Sequence, residues 1–218
     1  MTDTAAIDRC TGIVSTLVSR RPELAGCASD ILDGARMLTI GAQQGMTILA
    51  CGNGGSAADA DHLVAEFMKS FLLPRPLLKA DKQKLENAGG QTADLSGVLQ
   101  RGIRAISLAS NGALLSAILN DQGPDAVFAQ QVAGYGRPGD ILVCLSTSGR
   151  SRNVVAAAAT AKAMGLATLA IVGPGGGALK GICDVAICVT GIDAGEIQDA
   201  HRPVIHALCA CVESSLFG

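Results

Sequence analysis

The chain is predicted to fold as an α/β protein, a parallel sheet of about five strands covered by helices on both faces. Three observations lead there. Short apolar runs of the kind that buried strands need recur along its 218 residues. Segments of helical spacing, about 10 to 15 residues long, separate them, which is the alternation of a parallel sheet rather than of a hairpin sheet. Two of the strand ends also run into turns rich in glycine and hydroxyl side chains, the edge at which open parallel sheets bind ligands.

Composition limits the partners. Apolar residues make up 49% of the chain, with 27 glycines, no tryptophan, one tyrosine (Tyr135) and four phenylalanines, so the core is built from Ala, Val, Ile and Leu. The length suits one substantial core, and a single domain over residues 1–218 is expected. A formal net charge of −2 gives no electrostatic reason for nucleic acid or an anionic membrane as a partner. Eight cysteines without metal-finger spacing read as buried free thiols. The start lacks a basic segment followed by an apolar one, and no apolar run approaches the roughly 20 residues that span a bilayer. A cytoplasmic protein is expected.

Residues 1–44 carry apolar positions at helical spacing, broken at Arg20, Arg21 and Pro22, and read as a helical hairpin that covers the core or pairs with another subunit. Ile48, Leu49 and Ala50 end a first strand. Gly52, Gly54 and Gly55 then allow a sharp turn that can aim several N–H groups at one ligand, and Ser56 opens a helix, where its hydroxyl can cap the helix or bind an anion. On that helix His62 and Glu66 lie four residues apart, on one face, with Glu66 about 6 Å further from the anion end.

The stretch 72–104 is polar, charged and glycine-rich, a surface excursion that is either a disordered or weakly helical loop, or a lid or interface element over the site to which Lys69, Arg75, Lys79 and Lys82 would lend charge. A second strand, AISLA at Ala105–Ala109, precedes a helix from Gly112 to Leu119, a polar turn from Asn120 to Gly123, and a helix from Asp125 to Gly134. ILVCLS is the third strand. It leads into Ser146–Asn153, STSGRSRN, whose hydroxyls and following helix N-terminus can hold a phosphate without lysine. Ala167–Gly173 and Val185–Val189 supply the last two strands, and the PGGG turn between them permits a bend. The final segment from Glu196 to Phe217 is helical by period, with Pro203 near its first turns or kinking it; Gln198 and His206 share roughly one face, with His201 on that face or beside it.

GNGGSAADADHLVAEF at Gly52–Phe67, LNDQG at Leu119–Gly123, GDILVCLSTSGRSRNVV at Gly139–Val155 and IQDAHRPVIH at Ile197–His206 resemble, in order, the sugar isomerase (SIS) domain family and within it the phosphoheptose isomerases. The resemblance implies one flavodoxin-like SIS domain and interconversion of sedoheptulose 7-phosphate with D-glycero-D-manno-heptose 7-phosphate. It implies that Asn53, Gly54, Ser56, Ser146, Thr147, Ser148 and Ser151 contact the sugar phosphate, that Glu66 is the catalytic base and His206 the partner acid or base, and that Glu66, Asp121 and Gln198 contact the open-chain sugar. It further implies one zinc ion per subunit on His62, Glu66, Gln198 and His206, and a homotetramer. A glutamine oxygen is a weak zinc ligand, so such an ion would be loosely held.

The chain departs from the pattern at Ser70, where members often carry arginine, at Gly195 and Glu196, where they carry an acidic and a basic residue, and in the length of the excursion. These departures bear on how the far end of the sugar is held, and they leave an isomerase for another phosphosugar as an alternative. A further alternative is a non-catalytic relative that binds the bacterial replication initiator, but positions equivalent to Glu66 and His206 lack the acid–base pair there.

Overall fold

The structure is a computed structural model and describes residues 4–218, so the first three residues of the expected hairpin lie outside the described residues. Five strands form one parallel sheet in the order β2-β1-β3-β4-β5. They are β1 (Ile48–Cys51), β2 (Ala105–Ser107), β3 (Ile141–Ser146), β4 (Ala167–Val172) and β5 (Val185–Cys188). β1 and β3 run side by side in register, Ala50 against Val143 and Cys51 against Cys144. Every residue of both strands is buried, as continuous apolar runs covered on two faces require.

The period of two along each strand divides the core. Ile48, Ala50, Ile141, Val143 and Leu145 face the layer formed by α1 (Thr4–Arg20), α2 (Ala28–Gln43), α3 (Gly55–Met68) and α10 (Ala194–Phe217). Leu49, Cys51, Leu142 and Cys144 face the opposite layer, to which α7 (Ala126–Tyr135), α8 (Arg152–Ala163) and α9 (Leu179–Ile182) contribute Phe128, Val132, Val154, Ala157 and Leu179. Alanine on α8 lets that helix lie close to the sheet. Each large aliphatic side chain so buried contributes about 1.5–3 kcal/mol.

The hairpin forms where expected, with a 3-10 turn at Pro22–Cys27 inserted between its helices, and that turn buries Leu24 and Cys27. The helix expected to stop at Leu119 continues as α6 (Gly112–Gln122), taking in most of the predicted polar turn, and Gly123 ends it at φ +91°. In α10 the carboxylate of Asp193 caps the Glu196 N–H at 2.9 Å, and Glu196 Oε2 accepts from the Ile192 N–H at 3.0 Å. Glu196, one of the departures from the family pattern, is therefore spent on starting a helix. Pro203 sits inside α10; the Asp199 carbonyl that loses its partner belongs to an exposed residue, where water can replace the bond.

The excursion is more ordered than a loop. It contains α4 (Lys79–Ala88), α5 (Gly90–Asp94) and a 3-10 turn at Leu95–Gly97, none of which buries a residue. Its neck is closed: the Arg101 N–H donates to the Arg75 carbonyl at 2.8 Å, Pro76 and Gln100 form an antiparallel bridge, and the guanidinium groups of Arg75 and Arg101 both lie over the Phe217 ring, 5.0 and 4.6 Å from its centre. Arg75 is not a surface charge over a site, as a lid reading would have it. It is fully buried against Glu213, because the apolar α3–α10 junction leaves it no route to solvent.

All eight cysteines are unpaired thiols, five of them buried and Cys10, Cys183 and Cys188 half-buried. Among the described residues no helix is long and apolar enough to cross a membrane.

His201 is completely buried on α10, and among the described residues neither ring nitrogen has a well-formed hydrogen bond, the Val172 backbone offering only a poorly aligned one. Burial pushes its pKa below 6.5, against smaller opposing pulls from the Val172 backbone and the Asp59 carboxylate. Below pH 6.5 the unfolded chain therefore takes up a proton that the folded chain resists, and stability present above that pH is lost as the pH falls. Denaturant titrations between pH 7.5 and 5 are expected to show falling stability with a slope that His201→Leu reduces; an unchanged slope would contradict the assignment.

Candidate functional site

The strand order reverses direction at β1 and β3, so their connections leave for opposite faces, α3 into one layer and α8 into the other, and open a crevice at the carboxyl edge. Across that crevice the side-chain amides of Asn53 and Asn153 pair reciprocally, each Nδ2 donating to the other's Oδ1 at 2.9 Å. Asn153 Oδ1 also accepts from the Val154 N–H at 3.0 Å. Asn153 was not among the residues singled out in the sequence; at the start of an alanine-rich helix it carries no signal of its own.

The two turns are built for an anion. Gly54, at φ +56° and ψ −122°, is the N-cap of α3, so Ser56 sits in the first turn of that helix and does not cap it; Ser56 is buried, with its N–H on the Asn53 carbonyl. Ser151 precedes α8, but its Oγ lies 3.1 Å from Ser146 Oγ and makes no cap bond to the helix. Neither Gly54 nor Ser151 caps its helix, and although Asn153 Oδ1 takes the Val154 N–H, both N-termini meet at one crevice, where the remaining N–H groups and the helix dipole favour a negative group.

The turn Ser146–Ser151 is fixed from behind. The Gly149 N–H donates to the Ser146 carbonyl, the Arg150 N–H to Ser148 Oγ, and the Gly173 N–H to the Thr147 carbonyl, all within 3.2 Å. The PGGG turn does more than bend the chain. A Cβ on Gly149, whose φ is +61°, would lie 2.1 Å from the Gly176 carbonyl oxygen, and one on Gly177 would lie 2.5 Å from that of Ser148. Backbone packs on backbone there, which only glycine permits.

The acid–base residues gather further along α3. α10 runs beside α3 in the same direction: Gln198 packs on Gly55, Arg202 Nη2 lies 3.2 Å from the carboxylate of the buried Asp59, and His206 Nε2 lies 2.9 Å from His62 Nε2. Glu66 Oε1 is 3.5 Å from the same His62 nitrogen, and its Oε2 accepts from Lys69 Nζ at 3.0 Å. The Phe71 ring packs 5.4 Å from that of His206. Burial, and then the neighbouring His62, lower the pKa of His206, so the neutral imidazole is favoured near neutral pH. The chain thus brings Glu66, His62 and His206 together at one end of the α3–α10 groove and Asn53, Ser56 and Gln198 at the other.

Two expected residues stand apart. Asp121 is exposed at the end of α6, taking a 2.8 Å bond from Asn120 Nδ2, and α6 packs on α7 rather than on α3. Gln198 lies eight residues before His206, about 12 Å along the helix. Of the four expected zinc ligands, His62, Glu66 and His206 come together while Gln198 lies toward the other end of the groove, and among the described residues no three His, Cys, Asp or Glu side chains form a ready-made metal group as they stand. His62 and His206 use on each other the nitrogens that a metal would need.

A family model for the SIS domain matches residues 88–173. A phosphoheptose isomerase from Akkermansia muciniphila is 40% identical over 89% of this chain and 90% of its own length. One from Rhodospirillum rubrum is 38% identical over 88% and 89%. Among solved structures, phosphoheptose isomerase from Neisseria gonorrhoeae superposes with a TM-score of 0.72 at 30% identity, covering 92% of this chain and 94% of that one. The corresponding protein from Francisella tularensis gives 0.73 at 25% identity, covering 91% and 92%. With the same five-stranded fold and relatives of this identity over nearly its whole length, the chain belongs to the phosphoheptose isomerase family.

Proposed function

We propose that the chain is an aldose–ketose isomerase that interconverts sedoheptulose 7-phosphate and D-glycero-D-manno-heptose 7-phosphate. The observation that carries the reading is the grouping of Glu66, His62 and His206 on the same two helices whose other end meets the anion cradle. From Ser56 to Glu66 is ten residues of α3, about 15 Å. That span suits an extended sugar with its phosphate at one end and its carbonyl at the other, and suits a heptose better than a triose.

In this reading Asn53, Gly54, Ser56, Ser146, Thr147, Ser148 and Ser151 hold the phosphate end and Gln198 a sugar hydroxyl beside it. Glu66 removes the proton from the carbon next to the carbonyl. The electron pair of that C–H bond forms the enediolate, and the proton rests on the carboxylate. Neutral His206 moves a proton between the two enediol oxygens, with its Nε2 able to give to or take from His62, and Glu66 then returns its proton to the neighbouring carbon. Each positioned transfer contributes about 10²- to 10⁴-fold.

Asp121 enters the reading only as a contact supplied across subunits, in keeping with a homotetramer. Exposed apolar side chains at Met68, Leu72 and Val98 support association. A zinc ion on His62, Glu66, Gln198 and His206 would require the His62–His206 bond to open and Gln198 to reach from two turns away, and no step is assigned to it. Eight free thiols support a reducing, cytoplasmic setting.

The test is NMR of sedoheptulose 7-phosphate with the protein in deuterated water, with added zinc and with a chelator. The expected result is conversion with deuterium entering at carbon 2. Binding without conversion would sink the heptose reading, and equal rates in zinc and chelator would remove the metal from it.

A further inference from the structure

We propose that Arg75 and Glu213 form a latch that positions the acid–base pair, gripping the backbone of Glu66 on one side and the ring packed on His206 on the other. The inference rests on the isomerase reading above. Neither residue touches the sugar site; both are positioning residues, and neither lies in a stretch that carries the family resemblance.

Glu213 is fully buried on α10, seven residues beyond His206, and its two oxygens collect four donors. Oε1 accepts from the Phe71 N–H at 2.8 Å and from Arg75 Nε at 2.7 Å; Oε2 accepts from the N–H groups of Leu72 and Leu73 at 2.6 and 3.0 Å. Residues 70–73 belong to no helix or strand; Gln100 Oε1 takes the Ser70 N–H at 2.8 Å, and Glu213 takes the next three. By holding them, Glu213 sets the Phe71 ring 5.4 Å from His206.

Arg75 works toward the other partner. Its Nη1 donates to the Phe67 carbonyl at 2.8 Å and its Nη2 to the Glu66 carbonyl at 3.1 Å. These are among the last four carbonyls of α3, which have no partner within the helix, and a guanidinium there also complements the negative end of the helix dipole. Arg75 thus closes the turn that carries the proposed base, together with the Ile103 N–H, which also reaches the Phe67 carbonyl at 2.8 Å. An apolar pair of the same volume often replaces a buried ion pair without loss of stability, but this pair also satisfies backbone groups on both sides of it. Apolar side chains would not hold five backbone groups.

Four proteins test the latch: wild type, Glu213→Gln, Arg75→Lys and the double variant Arg75→Met with Glu213→Leu. Glu213→Gln places an NH₂ where N–H groups point; Arg75→Lys keeps the charge beside Glu213 but gives up the paired grip on α3. Both are expected to lower kcat at least about tenfold with KM within about threefold, the pattern of a misplaced catalytic group rather than of lost binding. The double variant takes the Arg75 and Glu213 partners away from five backbone groups and is expected to fold, to melt several degrees below the wild type, and to turn over slowly. Wild-type kcat in any folded variant would overturn the latch. A second readout is independent of turnover: the ring-proton NMR signals of His206, shifted by the Phe71 ring, are expected to move in the double variant, and unmoved signals would overturn the proposal. If the wild type itself fails to isomerise the heptose phosphate, the functional reading falls while the NMR comparison still decides whether the latch sets the pair.

Discussion

Glu66→Gln is expected to lower kcat by about 10²- to 10⁴-fold while sugar-phosphate binding stays within about threefold of wild type. Glutamine has the shape of glutamate and keeps an oxygen for the Lys69 ammonium that now bonds Oε2. What it loses is the ability to take a proton from carbon. The anion cradle lies ten residues away on α3 and rests on Asn53, Ser56 and the turn after β3, none of which touches this carboxylate. Calorimetric titration with the sugar phosphate should therefore report near-normal affinity beside a stopped reaction. Undiminished turnover would remove Glu66 from the mechanism. Loss of binding together with turnover would place the carboxylate in ground-state recognition instead.

Gly149→Ala should act on the opposite end of the site. At φ +61° a side chain costs about 1–2 kcal/mol in backbone strain alone. The added methyl would also lie 2.1 Å from the Gly176 carbonyl oxygen and 2.6 Å from its carbon, so the STSG and PGGG turns must part. The expected result is a KM raised about tenfold or more, a smaller change in kcat, and a melting temperature lower by several degrees. Gly175→Ala is the control, since its φ of +76° carries a similar strain but a Cβ there meets nothing within 4 Å. If both variants behave alike, the packing of turn on turn does not shape the cradle.

Much of this was legible in the chain. The five runs became the five strands: β1, β3 and β4 are buried almost throughout and had to be written as nearly unbroken apolar segments, whereas the partly exposed edge strands β2 and β5 followed from their place between helices. The spacing of His62 and Glu66 placed them on one helical face, and the eight-residue spacing of Gln198 and His206 put both toward α3. The unread features depend on pairs far apart in sequence. Arg75 and Glu213 are separated by 138 residues and Asn53 and Asn153 by 100, and no local period links them. The sequence leaves Ser56 two roles, a helix cap or an anion ligand; Gly54 takes the cap conformation and the helix begins a residue early, so Ser56 does not cap it. The polar turn at 120–123 was placed too early because Asn120 and Asp121 can end a helix or ride its last turn, and Gly123 made the choice.

The closed neck of the excursion separates how long that segment is from what the rest of the molecule does. Because Arg75, Pro76, Gln100 and Arg101 hold the two ends together, the residues between them close a loop whose entropic cost grows by only about 0.6 kcal/mol for each doubling in length. The helices within it bury nothing, so no core depends on their sequence. A fluorophore or an affinity tag between α4 and α5, clear of the exposed Leu72 and Val98, would ride on a handle clamped to the body of the protein.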